Sequence, residues 1–478
     1  MCETNRRDFV KIGAGAAAVA ALPGILKAQK APAQAAGAYY RANETVRVAC
    51  VGYSDRFRGS LLPCFLHHNK ELKFDLVAVA DLWKKRLNEK AVPEIEKKLG
   101  HKVAAYASDV ALYEQAKDID AVIISTADFQ HAQHAAHAVN AGKDAYCEKP
   151  LAEDMYSANL LKDAVDAKRA AGFAPGAVLQ IGSQRRSGKK YMAAKEYINA
   201  GKFGDISYVD LRWNVNQPKR WRRPDDLIKS LKLEDIDWKM WLLDRDPAAY
   251  AFDPRKYLEF RLFWPFSSGT PGQWMCHQID TVAWFMGQPY PKSAVSSGGL
   301  YQWVDGRQSY DTFTTLMEYG ESGVKGKGFQ VMFQSHQTNC AGGVKPNNES
   351  PVEKYFGPNG CIDLGAGAVT NEGVELAKPT SEDLPCPKET VVTSANTGGD
   401  RLTSAHMRNW MECVRSRKDP NAPVEAGYSH AIALIMSNAA LRTGMRATFD
   451  AESRQVLAGG KPWTGYKSTA DGWFKNLF

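Results

Sequence analysis

The sequence predicts an α/β fold in two parts: a parallel sheet with helices on both faces, then a second α/β domain built on a mostly antiparallel sheet. Three observations predict it. Between Val46 and Glu148, short apolar runs alternate with helical periodicity, the pattern of βαβ units. Tyr146-Cys147-Glu148-Lys149-Pro150-Leu151 ends one such run on a glutamate, a lysine and a proline, which are costly beside a sheet core. Beyond residue 290 the apolar residues recur with period two, and Pro358-Asn359-Gly360 marks a hairpin turn.

The chain begins with a processing signal. Asn5-Arg6-Arg7-Asp8-Phe9-Val10-Lys11 precedes an Ala/Gly-rich apolar run from Ile12 to Leu26. That run falls short of the roughly 20 residues a spanning helix needs, and Pro23 and Gly24 break it. Paired arginines, a phenylalanine two residues on and a weakly apolar core resemble a bacterial twin-arginine export signal. Residues 1–35 are read as that signal, with small-residue cleavage sites after Ala28 or Ala35, and the mature protein is expected in the periplasm or beyond. No membrane contact is expected once the signal is removed.

The formal charge of +8 is partly concentrated in that segment; the rest is too diffuse for nucleic-acid binding. The nine cysteines are scattered, with no CxxC pair and no metal-ligand spacing. Cys50 and Cys147 read as buried small hydrophobes. Cys340, Cys361 and Cys386 are disulfide candidates in an exported chain.

A dinucleotide-binding domain is expected over residues 44–170. Its strands are Val46–Gly52, Phe74–Ala80, Val103–Tyr106, Ala121–Ser125 and Asp144–Glu148, with Asp109 read as a helix cap. Such domains place glycines after the first strand so that the backbone can approach a pyrophosphate. Here Gly52 keeps the first glycine, Ser54 and Phe57 replace the next two, and Gly59 reads as the last glycine of a longer loop. Arg56 or Arg58 supplies phosphate charge in this reading. Asp81, at the tip of the second strand, suits an adenosine ribose and favours NAD; Lys84, Lys85 and Arg86 leave NADP open.

The second domain is expected over residues 171–450, with a tail from 451 to 478 that packs on a neighbour. Its basic turn Gly182–Ser187 contains Arg185. Trp221, Arg222, Arg223, Trp238, Trp241 and Trp264 crowd a loop-rich stretch from Gln217 to Pro265. They suit a polyhydroxylated ligand, or they pack a long insertion; both readings are open. Gln273, His277 and Asp280 recur at i, i+4, i+7 on an otherwise apolar helix and so share a face. His131, His134 and His137 drift round their helix with no carboxylate to complete a metal site, so none is expected there.

Together these residues resemble the Gfo/Idh/MocA family, which includes glucose–fructose oxidoreductase and inositol dehydrogenase. The strongest matches are Ala141-Gly142-Lys143 leading into Tyr146–Pro150, the Thr126–His131 segment, and the helix bearing His277 and Asp280. The resemblance implies a Rossmann domain followed by a large, mostly antiparallel open sheet, through which dimers or tetramers form. It implies that Lys149, His277 and Asp280 are catalytic. Gly52, Ser54, Arg56, Asp81, Thr126, His131, Glu148 and Lys149 would bind the cofactor. Arg185, Gln273, His277, Asp280 and Lys149 would bind a sugar or polyol. Gln273 stands where many members carry aspartate.

The expected activity is hydride transfer between a sugar or cyclitol secondary alcohol and a tightly bound nicotinamide nucleotide. A second reading is a redox-neutral NAD-dependent glycosidase: oxidation at C3 acidifies the C2 proton, elimination expels the aglycone, and water and hydride re-add. A third is a non-catalytic sugar-binding protein, motivated by the glycine-poor loop.

Overall fold

The computed structural model describes residues 44–172, 177–217, 219–338, 349–364, 369–370 and 400–469. The export signal, Cys2, Cys340, Cys386, Trp473 and nearly all of the polar stretch Asn371–Arg401 lie outside the described residues.

The first sheet is wholly parallel. Its strands are β1 (Val46–Val51), β2 (Phe74–Ala80), β3 (Ala104–Tyr106), β4 (Ala121–Ile124), β5 (Asp144–Cys147) and β6 (Leu179–Ile181), in spatial order β3-β2-β1-β4-β5-β6. Their apolar continuity follows from coverage on both faces: all of β4 and β5 is buried. The order reverses between β1 and β4, and ligands bind outside the carboxyl ends of strands at such a point. β6 lies past the boundary expected at 170, yet it pairs with β5. The helix Arg401–Ser416 also returns to this sheet, where Trp410 and Met407 pack with Val48 and Tyr146.

The second sheet joins β7 (Tyr208–Val215), β8 (Ser293–Gly299), β9 (Thr312–Gly320), β10 (Gly328–His336), β11 (Glu349–Gly357), β12 (Gly360–Asp363), β13 (Val369–Thr370), β14 (Ala447–Asp450), β15 (Gln455–Ala458) and β16 (Lys461–Pro462). Its order is β13-β12-β11-β7-β10-β9-β8-β14-β15-β16, antiparallel except between β7 and β10. One face is covered by the helices Cys276–Met286 and Val424–Thr443, so inward residues of β9 and β10 alternate with half-exposed ones.

The stretch expected as a tail instead extends this sheet with β15 and β16 and then packs on its own chain. Trp264 Nε1 donates to Gly465 O at 2.7 Å, and Thr469 N to Asp244 O at 2.9 Å. Among the described residues, Cys50, Cys64, Cys147, Cys276, Cys361 and Cys413 form no disulfide. Among the described residues no helix is long and apolar enough to cross a membrane.

The loop-rich insertion folds against the first domain. Trp83 bridges to Ile236 through the backbone. Gln130 Nε2 donates to Trp241 O at 2.6 Å, and Arg223 pairs with Asp55 at 2.7 Å. Trp238 and Trp241 stack at 4.5 Å within a core that includes Phe129 and Phe266, and Trp264 packs on Trp463. Trp238 and Trp264 therefore pack the insertion, whereas Trp221 and Trp241 belong to that core and also line the cavity described next.

Candidate active site

The carboxyl ends of β1, β2, β4 and β5, the insertion and the start of the helix bearing His277 enclose one cavity of about 830 Å³. Gly52, Ser54, Arg56, Asp81, Thr126, His131, Glu148, Lys149, Gln273 and His277 all line it. Lys149 from the first domain and His277 from the second thus face the same space.

Lys149 follows β5. Its Nζ donates to the backbone carbonyl of Gln273 at 2.7 Å. Burial pulls its pKa below the usual lysine range, against the opposing pull of Cys276, Glu148 and Asp128. His277 lies with its ring 5.9 Å from that of Trp213. Burial first, then Lys149 and Arg185, hold its pKa well below the usual imidazole range, so the ring is neutral at pH 7.

The residues at the β1 end fit a dinucleotide. Gly52 has φ +86°, and a Cβ there would come within 2.8 Å of Thr126 Cγ2 and 2.9 Å of Ser125 O. Only glycine keeps the backbone low where β1 and β4 diverge. Ser54 does different work from the glycine it replaces: its Oγ accepts from Phe57 N at 3.1 Å, capping the helical stretch that follows, and meets Ser125 Oγ at 2.6 Å. Two cavity-lining polar atoms, Thr126 Oγ1 and His131 Nε2, are buried with no hydrogen-bond partner among the described residues. His131 Nδ1 is held by Pro150 O at 2.8 Å, which aims its ring.

Several expected roles need correction. Gly59 is not in a loop; it lies within the helical stretch Phe57–Leu61. Arg56 is not a free phosphate ligand: it donates to Glu148 at 2.9 Å, to Ser60 at 2.9 Å and to Thr403 at 3.2 Å. Glu148 is correspondingly an ion-pair partner. Burial raises its carboxyl, but Arg56 and Lys149 outweigh this and hold it below the usual range. Arg58, also at the cavity, has looser partners, Glu94 at 3.7 Å and Asp55 at 3.9 Å, and is the less committed of the two arginines. The Asp81 carboxylate accepts from Tyr53 N, Trp83 N and Nε and Nη2 of Arg86, so a ribose hydroxyl would share it with that arginine.

Asp280 and Arg185 are not at the cavity wall. Asp280 is 1% exposed, and Arg186 grips its carboxylate bidentately at 2.9–3.1 Å. His430 Nδ1 lies 3.8 Å away. Burial raises this carboxyl, but Arg186 and His430 outweigh it and hold the acid ionised. Three residues beyond His277, the helix has turned this side chain into the protein. Arg185 is bound to Glu353, with its guanidinium over Trp213. Both residues brace the site from behind. Asp109 does not cap its helix; Ser108 does, and Asp109 Oδ2 lies 2.8 and 2.9 Å from Nδ1 of His134 and His137. It is a carboxylate that helix periodicity alone did not bring to those histidines.

Sequence reasoning named Trp221 as a ligand-facing aromatic but missed Trp213 and Trp274, which complete an aromatic wall with it. Trp274 stacks near-parallel to Trp213 at 6.2 Å and meets Trp221 at 5.6 Å, while the Arg220 guanidinium lies 5.0 Å from the Trp274 ring. Trp221 holds φ +67°, a costly backbone for a bulky residue that the surrounding packing must impose. Trp274 adjoins Gln273, and an aromatic beside a polar helix stripe was the available signal.

A two-domain chain with a dinucleotide cradle and a lysine–histidine pair at the domain junction defines a nucleotide-dependent oxidoreductase type of site. The comparisons agree. A model described as "Oxidoreductase family, NAD-binding Rossmann fold" matches residues 46–173, and one described as "Oxidoreductase family, C-terminal alpha/beta domain" matches 250–447. The chain belongs to the Gfo/Idh/MocA oxidoreductase family, and its first domain is NAD-binding. A twin-arginine translocation signal matches residues 3–23.

Inositol 2-dehydrogenase of Salmonella typhimurium is 33% identical over 131 residues, 27% of this chain and 37% of that protein. The Rhizobium meliloti enzyme is 28% identical over 178 residues, 36% of this chain and 49% of that protein. The match thus spans less than half the length of these relatives. The WlbA dehydrogenase of Bordetella pertussis, solved with NADH and UDP-GlcNAcA, shares the fold (TM-score 0.58, 17% identity, 85% of this chain and 99% of that one). So does myo-inositol 2-dehydrogenase of Lactobacillus plantarum (TM-score 0.57, 16% identity, 85% and 100%).

Proposed function

We propose that this chain is an exported oxidoreductase acting in the periplasm on a sugar or cyclitol secondary alcohol with a tightly held NAD. The observation that carries the reading is that Lys149 and His277 face one cavity whose other wall is Trp213, Trp221 and Trp274. Bound NAD would accept hydride from the carbinol carbon. The Lys149 amine and the His277 imidazole, both biased towards their neutral forms, take the hydroxyl proton as the carbonyl forms. Gln273 holds Lys149 through its carbonyl, and the indole faces suit the apolar face of a sugar ring. Gly52, Ser54, Thr126 and Asp81 would hold the nucleotide, with Arg58 toward the diphosphate.

Closure of the insertion favours tight retention. Arg223, from the insertion, pairs with Asp55 at the start of the capped helix, and Arg86 beside Asp81 donates to Tyr257 OH at 3.1 Å. Replacing Arg223 with Ala removes one of the insertion's contacts to the first domain and leaves the Asp55 charge less compensated near a bound diphosphate. A partly exposed ion pair contributes up to about 1 kcal/mol, so NAD release should accelerate about fivefold, read by stopped-flow fluorescence.

Retention together with export favours a second reading, the redox-neutral glycosidase, because a nucleotide that cannot exchange must be returned to its starting state within the site. One experiment addresses all readings. Small molecules released from the purified exported protein are identified by mass spectrometry, and the protein is then incubated with glycosides while absorbance at the NADH band is followed. Released NAD is expected. Net NADH formation selects the dehydrogenase, and free sugar without NADH selects the hydrolase. A protein free of nucleotide and unable to bind it overturns both and leaves a sugar-binding protein.

A further inference from the structure

Asp128 is a buried carboxylate assigned by neither the sequence patterns nor the family match. It follows β4 on the short turn Asp128–Gln130, is fully buried, and lies behind the cavity rather than on its wall. Gln273 Nε2 and Ser267 Oγ each donate to its Oδ2 at 2.6 Å, and Arg261 Nη2 lies 3.4 Å from its Oδ1. Gln273 in turn gives its backbone carbonyl to Lys149 Nζ at 2.7 Å. A continuous chain of contacts therefore links the carboxylate to the amine.

The neighbouring acid behaves differently. Glu153 is 1% exposed; its Oε1 accepts from Ser268 Oγ at 3.1 Å and its Oε2 has no hydrogen-bond partner among the described residues. Burial, and then the Asp128 charge, push its carboxyl up to about 8, so it is mostly protonated at neutral pH. Of the two acids, the one that is ion-paired and linked to Lys149 is Asp128.

We propose that Asp128 is a positioning residue for Lys149: it fixes Gln273, whose carbonyl holds the ammonium, and supplies a buried negative charge from the β4 side. The proposal rests on the reading of Lys149 as the proton-transfer group. The groups facing Lys149 are Glu148 beside it in the chain, Cys276 and His277 on the adjoining helix, and Asp128 and Arg261. Burial favours the neutral amine, and Asp128 opposes it. Without that charge the amine loses its proton at lower pH and its hold on the Gln273 carbonyl weakens. Carbonyl reduction, which needs the ammonium as donor, suffers most.

The test uses NAD-loaded full-length protein. Lys149 acetylation by acetic anhydride is followed against pH by mass spectrometry, and turnover is followed in both directions. In Asp128→Asn the acetylation profile should move to lower pH and reduction should slow about tenfold, a modest share of a general-acid contribution, with NAD affinity unchanged. The double variant Asp128→Asn, Gln273→Glu returns a carboxylate to the same hydrogen-bonded pair and should restore the profile. An unmoved profile in Asp128→Asn, or a double variant that stays shifted, overturns the proposal. If the single variant does not fold, the double variant decides alone. Acetylation reads Lys149 directly, so a failure of the oxidoreductase reading would leave this result standing, and the reverse.

Discussion

Replacing Lys149 with Ala should lower turnover by about a hundred- to ten-thousandfold, the usual contribution of a positioned general acid–base, while folding and NAD binding stay close to wild type. The side chain is half-buried, and its removal enlarges an existing cavity rather than opening a void in a packed core. Its hydrogen bond goes to a helix-start carbonyl, which water in the cavity can satisfy. Lys149→Arg separates position from proton transfer. Arginine keeps the charge and the donor but does not give up its proton in this range, so it should be nearly as inactive as alanine. Turnover within tenfold of wild type in both variants would remove Lys149 from the chemistry.

The pH dependence follows from the same burial. Oxidation needs the neutral amine, so its rate should be lost as pH falls through the Lys149 pKa, which burial sets below the ordinary lysine value. Reduction needs the ammonium and should be lost as pH rises through it. Neither limb should survive in Lys149→Ala.

The parallel sheet was legible because covered strands read as unbroken apolar runs, and β2 ends where its sequence signal ends, at Ala80 before Asp81. The lysine–proline turn after β5 and the polar stripe on the later helix were legible as residues out of keeping with their elements. What could not be read was who meets whom. Periodicity puts Asp280 near the face of His277, but not opposite Arg186, which comes from a turn 94 residues earlier. The same holds for Trp410, which completes the first core from the far end of the chain. Asp128 sat inside the Thr126–His131 segment, and only its burial beside Gln273 distinguishes it from an ordinary loop carboxylate. Of the six tryptophan and arginine positions of the insertion, Trp221, Arg223 and Trp241 line the cavity and Arg222, Trp238 and Trp264 do not, a division set by contacts distant in sequence.

Arg245 is where removing one side chain should cost the most stability. It is 1% exposed, with Nη1 3.1 Å from Asp244 Oδ1 and Nη2 3.3 Å from both Asp154 Oδ2 and Pro265 O. Its guanidinium lies between the rings of Phe129 and Tyr466, 4.2 Å from each. Asp154 caps the helix Met155–Ala170 through Ser157 N at 2.7 Å, and Asp244 accepts from Gln133 Nε2 at 2.8 Å and from Tyr466 OH. One guanidinium therefore ties the first domain, the insertion and the C-terminal stretch. Arg245→Met keeps much of the volume but leaves two buried carboxylates uncompensated, and breaking a buried pair in this way costs about 3–5 kcal/mol. The sign of the pH effect is fixed by Asp154. Burial already holds its carboxyl above the usual range and Arg245 pulls it back, so the variant raises it further. A raised carboxyl destabilises the fold as pH climbs through its titration and ceases to do so once protonated. The deficit should therefore be largest at neutral pH and shrink on acidification, when wild type also loses its ion pair. Urea unfolding of both proteins across that range measures it; a deficit under about 1 kcal/mol at neutral pH, the size of an exposed pair, would mean that Arg245 contributes only packing.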